Sequence, residues 1–520
     1  ADTGDADTGD ADTGDADTGD ADTGDADTGD PDTGDPDTGD PDTGSPEPFE
    51  VGGSTALDMS DYVFTFESMG VETEISTIAN AGDVDGDGLD DMLFGAARYT
   101  DSVRTGRAYL VYGYHLEEGG VISLDEADHV FEAEFSGDAT GISVASAGDV
   151  DGDGFPDILI GGLGLMGISG HAPVGYDTRA YLILASSLGL PGTMSLADAD
   201  YVFQSDSPHD IMGSPVRGVG DVDGDGLDDI AVVQAHSEEG YWLEGQVFVF
   251  LGSELGIERE LYGSESSYTF IGEGTYDRCG ISLDAADLDN DGLSDIFVGC
   301  DGLTGDHTSS GMVAVFMGGR LGVRRDKLMS SAHYLISGDA PNIAFGLSVS
   351  VIANLDGDDL PDLAVSAPSH EFGLGGWGTS GPQRGRTYVF TGDQFGEESE
   401  ISADEARATI DGIDDDDRIG TWLANAGDFT DDGVDDLWIG SAYATLDEVD
   451  PGQVYLMSGA DLMAESALDV TDAAHTFYGS DHADRVGWVV AGVGDYNGDG
   501  RPDLFTVASG LGEAYLLFGR

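Results

Sequence analysis

Positive charge is almost missing from this chain. Lys and Arg together number 18 against 104 Asp and Glu, a formal net charge of −86, and Lys327 is the single lysine. Nucleic acid and anionic membrane surfaces both require clustered positive charge, so neither is an expected partner, whereas cations are. Cysteine is scarce too: Cys279 and Cys300 are the only two, which excludes a disulfide-stapled miniature scaffold. No apolar run approaches the ~18 residues of a spanning helix, so direct membrane insertion is not expected. Asn-x-Ser/Thr does not occur, which removes N-linked glycans of that type. There is no Gly-x-Ser-x-Gly elbow, no His-Glu-x-x-His and no phosphate loop, and the ten His are scattered without spaced partners. The chain is therefore not expected to be an enzyme, and activity on a polysaccharide is the weakest reading. It opens on Ala1 without Met or a leader, which reads as a processed or truncated form.

What is present falls into two unequal parts. Residues 1–45 are nine pentapeptides, six Ala-Asp-Thr-Gly-Asp, two Pro-Asp-Thr-Gly-Asp and a last Pro-Asp-Thr-Gly-Ser, carrying 17 Asp. Nothing in them is apolar enough to offset the entropy of ordering, so residues 1–50 are expected to form an extended, charge-swollen stalk. Fully extended at ~3.1–3.4 Å per residue, the repeats reach roughly 140–150 Å. Thr3, Thr8, Thr13, Thr18, Thr23, Thr28, Thr33, Thr38 and Thr43 recur at one phase. That regularity suits O-glycosylation or a strand laid into a neighbouring subunit, which would make a homopolymer; the plainer reading is a linker.

Residues 51–520 carry a second repeat. A nonapeptide recurs at Asp83, Asp149, Asp221, Asp287, Asn354, Asp428 and Asp495, at spacings of 66 to 74 residues. Each unit holds four short β-rich segments punctuated by Gly, and no helical period of useful length appears. Seven such units predict an all-β fold, a seven-bladed β-propeller with four-stranded blades.

The nonapeptide carries the chemistry. Side-chain oxygens stand at positions 1, 3, 5 and 9, and the backbone carbonyl of position 7 is free to join them. The first loop offers Asp83, Asp85, Asp87, Leu89 and Asp91; the second Asp149, Asp151, Asp153, Phe155 and Asp157. The third offers Asp221, Asp223, Asp225, Leu227 and Asp229; the fourth Asp287, Asp289, Asp291, Leu293 and Asp295. Asn354, Asp356, Asp358, Leu360 and Asp362 follow, then Asp428, Thr430, Asp432, Val434 and Asp436, then Asp495, Asn497, Asp499, Arg501 and Asp503. Alternating hard oxygen ligands in a tight loop suit calcium, up to seven ions in all. The fifth loop, with Asn354 first, and the sixth, with Thr430 third, are expected to bind more weakly. An EF-hand would need a bidentate Glu at position 12; that position holds Phe94, Ile160, Val232, Val298, Val365, Ile439 and Thr506. The loops offer no soft ligands, which argues against zinc and copper.

With these loops the sequence resembles the FG-GAP repeats of the integrin α-subunit propeller and its bacterial relatives. Phe345-Gly346 keeps the first name-giving dipeptide; Met212-Gly213, Cys279-Gly280, Ile419-Gly420 and Val486-Gly487 are degraded versions, and Ser366-Ala367-Pro368 keeps the Ala-Pro. The resemblance implies that the calcium loop joins strands 1 and 2 of each blade, that strand 1 is innermost and that strand 4 is outermost. Tyr62–Phe66 would then complete the last blade beside Ala514–Phe518. Cys279 and Cys300 would flank one calcium hairpin, close enough for a disulfide. The ligand face would lie opposite the calcium loops and carry His171, Tyr176, Tyr241, Trp242, Phe372 and Trp377. The function expected is an extracellular or cell-surface adhesion module on a stalk, in a bacterium, with a protein or glycan ligand; the alternative is a structural subunit of an extracellular fibre.

Overall fold

The computed structural model describes residues 53–519 apart from 58–59, 66–74, 98–104, 117–119, 136, 163–177, 208–209, 235–243, 275–276, 303–309, 324, 370–382, 397–398, 416, 446–450 and 481–483. The pentapeptides with their threonines, Thr3 to Thr43, lie outside the described residues.

Strands arrange in seven sheets. In blade 1 the first four are Thr77–Gly82, Asp91–Ala96, Arg107–Val111 and His129–Glu132, each antiparallel to the one before. First strands touch one another in a closed ring from blade 1 through blade 7. Crowding at that ring explains their small residues: Ser143–Gly148 of blade 2 reads Ser-Val-Ala-Ser-Ala-Gly. Second strands are covered on both faces by neighbouring blades. They are accordingly apolar without alternation, and every residue of Asp91–Ala96, Asp229–Gln234 and Asp295–Cys300 is buried. Seven apolar clusters result, each shared by two adjacent blades. The one between blades 1 and 2 joins Leu93, Leu110 and Phe131 to Val144, Ile158 and Ile160. Fully burying one such side chain stabilises by about 1.5–3 kcal/mol relative to exposure.

Each blade has five strands, which corrects the expected four. The extra strand is short, parallel to the fourth, and supplied by the next blade. Gly192–Ser195 leaves blade 2 to pair with His129–Glu132 of blade 1, and Glu260–Tyr262 leaves blade 3 to pair with Tyr201–Gln204 of blade 2. The same exchange continues with Asp326–Leu328, Glu400–Ser402 and Ala467–Asp469. Strand 4 is thus not the sheet edge; a three- or four-residue strand covers it and leaves little edge for another chain to pair with.

Ring closure uses the same device twice. Tyr62–Thr65 pairs antiparallel with Glu513–Leu517 as the fourth strand of blade 7. Gly53–Ala56, just before it, pairs parallel with His475–Tyr478 as the fifth strand of blade 6. Phe64 is fully buried between Phe94 of blade 1 and Phe505 of blade 7, at ring centroid distances of 4.7 and 5.5 Å.

The glycines of the degraded dipeptides have a packing reason. Gly213 has φ +104°, and its carbonyl lies 1.9 Å from where a Cβ on Gly161 of the preceding blade would sit. A side chain there would collide with backbone, so two glycines meet where blades touch. Cys279 and Cys300 are register partners across the first two strands of blade 4 and form a disulfide, with Cα atoms 4.0 Å apart.

Candidate metal centres

Each nonapeptide links the first strand of a blade to its second. Position 9 is the first residue of the second strand, so the strand start fixes it: Asp91, Asp157, Asp229, Asp295, Asp362, Asp436 and Asp503 are all at most 1% exposed. Both oxygens of each accept backbone N–H groups. Asp91 Oδ2 accepts from Val84 N at 2.9 Å, and its Oδ1 accepts from Gly113 N at 2.9 Å, just past the third strand. Asp229 does the same with Val222 N and Gly252 N, at 2.9 and 2.8 Å. Position 9 therefore anchors the loop to the blade besides facing the other acids, a role that sequence spacing alone did not reveal.

The loop backbone is wound by its own carboxylates. Asp149 Oδ1 accepts from Gly152 N and Asp153 N at 2.8 and 3.0 Å, and its Oδ2 accepts from Gly154 N at 2.9 Å. Asp151 Oδ1 accepts from Asp153 N at 3.1 Å, and Asp153 Oδ1 from Phe155 N at 3.0 Å. The path needs left-handed backbone at position 6, where Gly154 has φ +95°, and also at position 4, where Gly152 has φ +77°. Where position 4 is not Gly, Asn290 and Asp431 adopt φ 54° and 58°; Asp359 holds position 6 of blade 5 at φ 67°.

This winding concentrates negative charge. One oxygen each from Asp83, Asp85 and Asp91 fall within 4.8 Å of one another, and so do those of Asp149, Asp151 and Asp157. Asp221, Asp223 and Asp225 make a third such group, and Asp287, Asp289 and Asp291 a fourth. Burial pushes the position-9 carboxyls up, against the pull of their N–H partners, and the neighbouring acids push further. The results are about 7 for Asp91, Asp157, Asp229, Asp295 and Asp436, about 6 for Asp362 and about 8 for Asp503. Asp85, Asp151, Asp223 and Asp356 are also raised, first by burial, with neighbouring loop carboxylates adding to it.

A divalent cation fits this arrangement. The donors are all oxygen, and Asp83 Oδ1 is buried beside Asp85 and Asp91 without a hydrogen-bond partner among the described residues. A buried carboxylate oxygen left unpaired is costly, and a cation is what would satisfy it.

The later loops differ. In blade 4, Arg320 reaches Asp289 Oδ2 at 2.8 Å. In blade 6, Thr430 Oγ1 donates to Asp436 at 3.2 Å and Ser458 Oγ donates to Asp432 at 2.7 Å. In blade 7, Asn497 Nδ2 donates to Asp499 Oδ2 at 3.2 Å. The candidate ligand-face residues His171, Tyr176, Tyr241, Trp242, Phe372 and Trp377 lie outside the described residues.

The FG-GAP repeat model matches residues 140–178, which contain the loop of blade 2. The chain is 30% identical over 208 residues to phosphatidylinositol-glycan-specific phospholipase D of Bos taurus, covering 39% of this chain and 24% of that one. It is 30% identical over 248 residues to integrin alpha pat-2 of Caenorhabditis briggsae, covering 45% and 18%. Against integrin alpha-5 of Xenopus laevis it is 30% identical over 158 residues, covering 30% and 13%. The matches thus span less than a quarter of each relative's length. The blade count, the loop between the first two strands and these similarities agree: the described residues form an integrin-α-like FG-GAP β-propeller.

Proposed function

We propose that the chain is a calcium-binding adhesion module, displayed outside the cell on the acidic stalk of residues 1–50, with residues 51–520 as the propeller. The observation that carries the reading is the oxygen cage of the first strand hairpins, with its unpaired Asp83 Oδ1. Positions 1, 3, 5 and 9, with the carbonyl of position 7, would hold each ion. When bound, calcium supplies the positive charge that lets several carboxylates stay ionised together. The chain's part is to fix those oxygens: position 9 pins the loop to the blade, and positions 1, 3 and 5 wind it.

Ligand recognition is assigned to the face away from these loops, with a protein or glycan as partner. Integrin alpha relatives support a binding role. The phospholipase D relative is named for an enzyme, but the shared part is 24% of it, so the likeness supports the propeller and not that activity.

The full chain, immobilised and offered glycan and matrix-protein panels, should retain a ligand in calcium and release it in chelator. A chain that binds no calcium in equilibrium dialysis would overturn the metal reading. One that binds calcium but captures nothing from either panel would overturn the adhesion reading alone. Intact-mass measurement of the N-terminal fragment tests the stalk: sugar masses on threonine are expected, and a bare peptide mass would remove glycosylation from the account.

A further inference from the structure

Neighbouring metal loops touch through one recurrent contact. Position 8 of a loop is not a ligand, yet it meets position 1 of the loop in the preceding blade. Asp228 N of blade 3 donates to the Asp149 carbonyl of blade 2 at 3.1 Å, and Asp149 N returns a bond to Asp228 Oδ2 at 2.8 Å. Ser294 N of blade 4 donates to the Asp221 carbonyl of blade 3 at 2.8 Å. Asp435 N of blade 6 donates to the Asn354 carbonyl of blade 5 at 2.9 Å. At the ring closure, Asp90 N of blade 1 donates to the Asp495 carbonyl of blade 7 at 3.4 Å, while Asp495 N donates to Asp90 Oδ2 at 3.1 Å.

Three junctions lack the contact for a covalent reason. Position 8 is Pro156 in blade 2, Pro361 in blade 5 and Pro502 in blade 7, and proline has no N–H to give. Those junctions are bridged elsewhere. Pro156 packs on Gly82, Asn290 Nδ2 donates to the Asp359 carbonyl at 3.1 Å, and Arg501 approaches Asp431 at 3.6 Å. None of these is a hydrogen bond or ion pair to a position-1 residue.

We propose that position 8 is a positioning residue for the metal site of the preceding blade. The seven sites then fall into three coupled groups: blades 7 and 1, blades 2 to 4, and blades 5 and 6. This rests on the reading of the loops as calcium sites. The physical route is short. The first ligand of each site swings on its own backbone, and a carbonyl held by the next blade removes part of that freedom before the ion arrives. Preorganisation of this kind is gained as affinity. Filling one site orders its position 8 and so favours the site before it, and by linkage the site before it favours this one by the same factor.

Ser294→Pro tests this without inventing a foreign loop, because three native loops already carry Pro there. Equilibrium dialysis of calcium on the full chain should show one site weakened about threefold to tenfold, the worth of one hydrogen bond. In an Asp223→Asn background, where the blade 3 site is already crippled, the same substitution should add nothing. An unchanged titration, or a loss that persists undiminished in that background, would overturn the proposal, the second because the substitution would then act on its own loop. Wild-type chain that binds no calcium would instead overturn the calcium reading itself. Should Ser294→Pro fail to fold, Asp228→Pro measured against Asp228→Ser, each with and without Asp151→Asn, asks the same question of blade 2. Asp228→Pro should bind more weakly than Asp228→Ser only where Asp151 is intact; equal affinities would overturn the proposal.

Discussion

The loops of blades 1 to 3 and those of blades 4 to 7 follow one backbone path but differ in what meets their carboxylates. In the first three, positions 1, 3 and 5 are all Asp, and in each loop they accept hydrogen bonds from the loop's own backbone N–H groups, as described for blade 2. In the last four, the chain brings a substitute for part of the cation. Blade 4 brings Arg320, blade 6 brings Thr430 and Ser458, blade 7 brings Asn497, and blade 5 replaces the first charge with Asn354. A carboxylate that already has a donor gains less from an ion. On the calcium reading proposed above, the difference would retune one loop from a site that requires metal towards one that tolerates its absence, without moving the backbone.

Removing metal should therefore have the largest effect and should separate the two sets. A site held at a hundred times its dissociation constant contributes about 2.7 kcal/mol to stability. Full chelation should lower the melting temperature strongly, and calcium should restore it better than magnesium, which demands tighter octahedral geometry. Graded chelation followed by native mass spectrometry should empty blades 4 to 7 first and leave a species retaining three ions. A melt unchanged in excess chelator would dissolve the comparison altogether.

Truncating position 9 should cut across the two sets. Asp229→Ala strands two buried N–H groups, of Val222 and Gly252, and Asp436→Ala strands the half-buried N–H of Thr430 and the buried one of Gly459. Each stranded group costs about 1–3 kcal/mol, with metal or without it. Asp223→Ala, at an exposed position 3, should cost little in chelator and much in calcium. Denaturant melts of the three variants in both conditions check this.

Much of this architecture could be read in the chain itself. Seven nonapeptides at near-constant spacing revealed the blade count, because a ring repeats its loops at one place per blade. The fifth strands stayed hidden because Glu260–Tyr262, Asp326–Leu328 and their equivalents are three or four residues long and pair with a different blade. In some units the signal is an apolar pair, Met194 and Leu196 or Ile401 and Ala403, a few residues before the fourth strand; Lys327 and Gly263 break it in others. The FG dipeptides looked degraded because Met212, Cys279, Phe345, Ile419 and Val486 all fill the same buried position, while the glycine after each cannot change. Position 8 gave no signal, since its role is carried by backbone atoms.

Acidity should affect the metal-free chain in the direction opposite to most proteins. The position-9 carboxyls titrate at about 6 to 8 in the fold, against an ordinary 3.8. The fold therefore holds their protons more tightly than the unfolded chain does. That stabilisation is complete below about pH 4 and is lost as pH rises through 6 to 8. In chelator the chain should melt higher at pH 5 than at pH 8, although its overall negative charge also contributes to that trend. Asp503→Asn, which removes the highest of these groups, should flatten the profile. Calcium affinity should run the other way, rising to about pH 8 as protons leave the same oxygens.

The smallest effect expected is the most selective. Arg320 lies 2.8 Å from Asp289 at position 3 of blade 4, and its side chain is 52% exposed. An exposed ion pair of this kind is worth about 0–1 kcal/mol, so it competes with calcium without excluding it. Arg320→Gln removes the competing charge and leaves Asp287, Asp289 and Asp291 in place. Calcium at blade 4 should then bind about twofold to fivefold more tightly in dialysis at low salt, and the gain should shrink as salt screens the pair. The mass-spectrometric series should shift with it, from three ions retained late in chelation to four. Should Arg320→Gln weaken the site instead, Arg320 is holding Asp289 in place for the ion rather than opposing it, and blade 4 belongs with the first three.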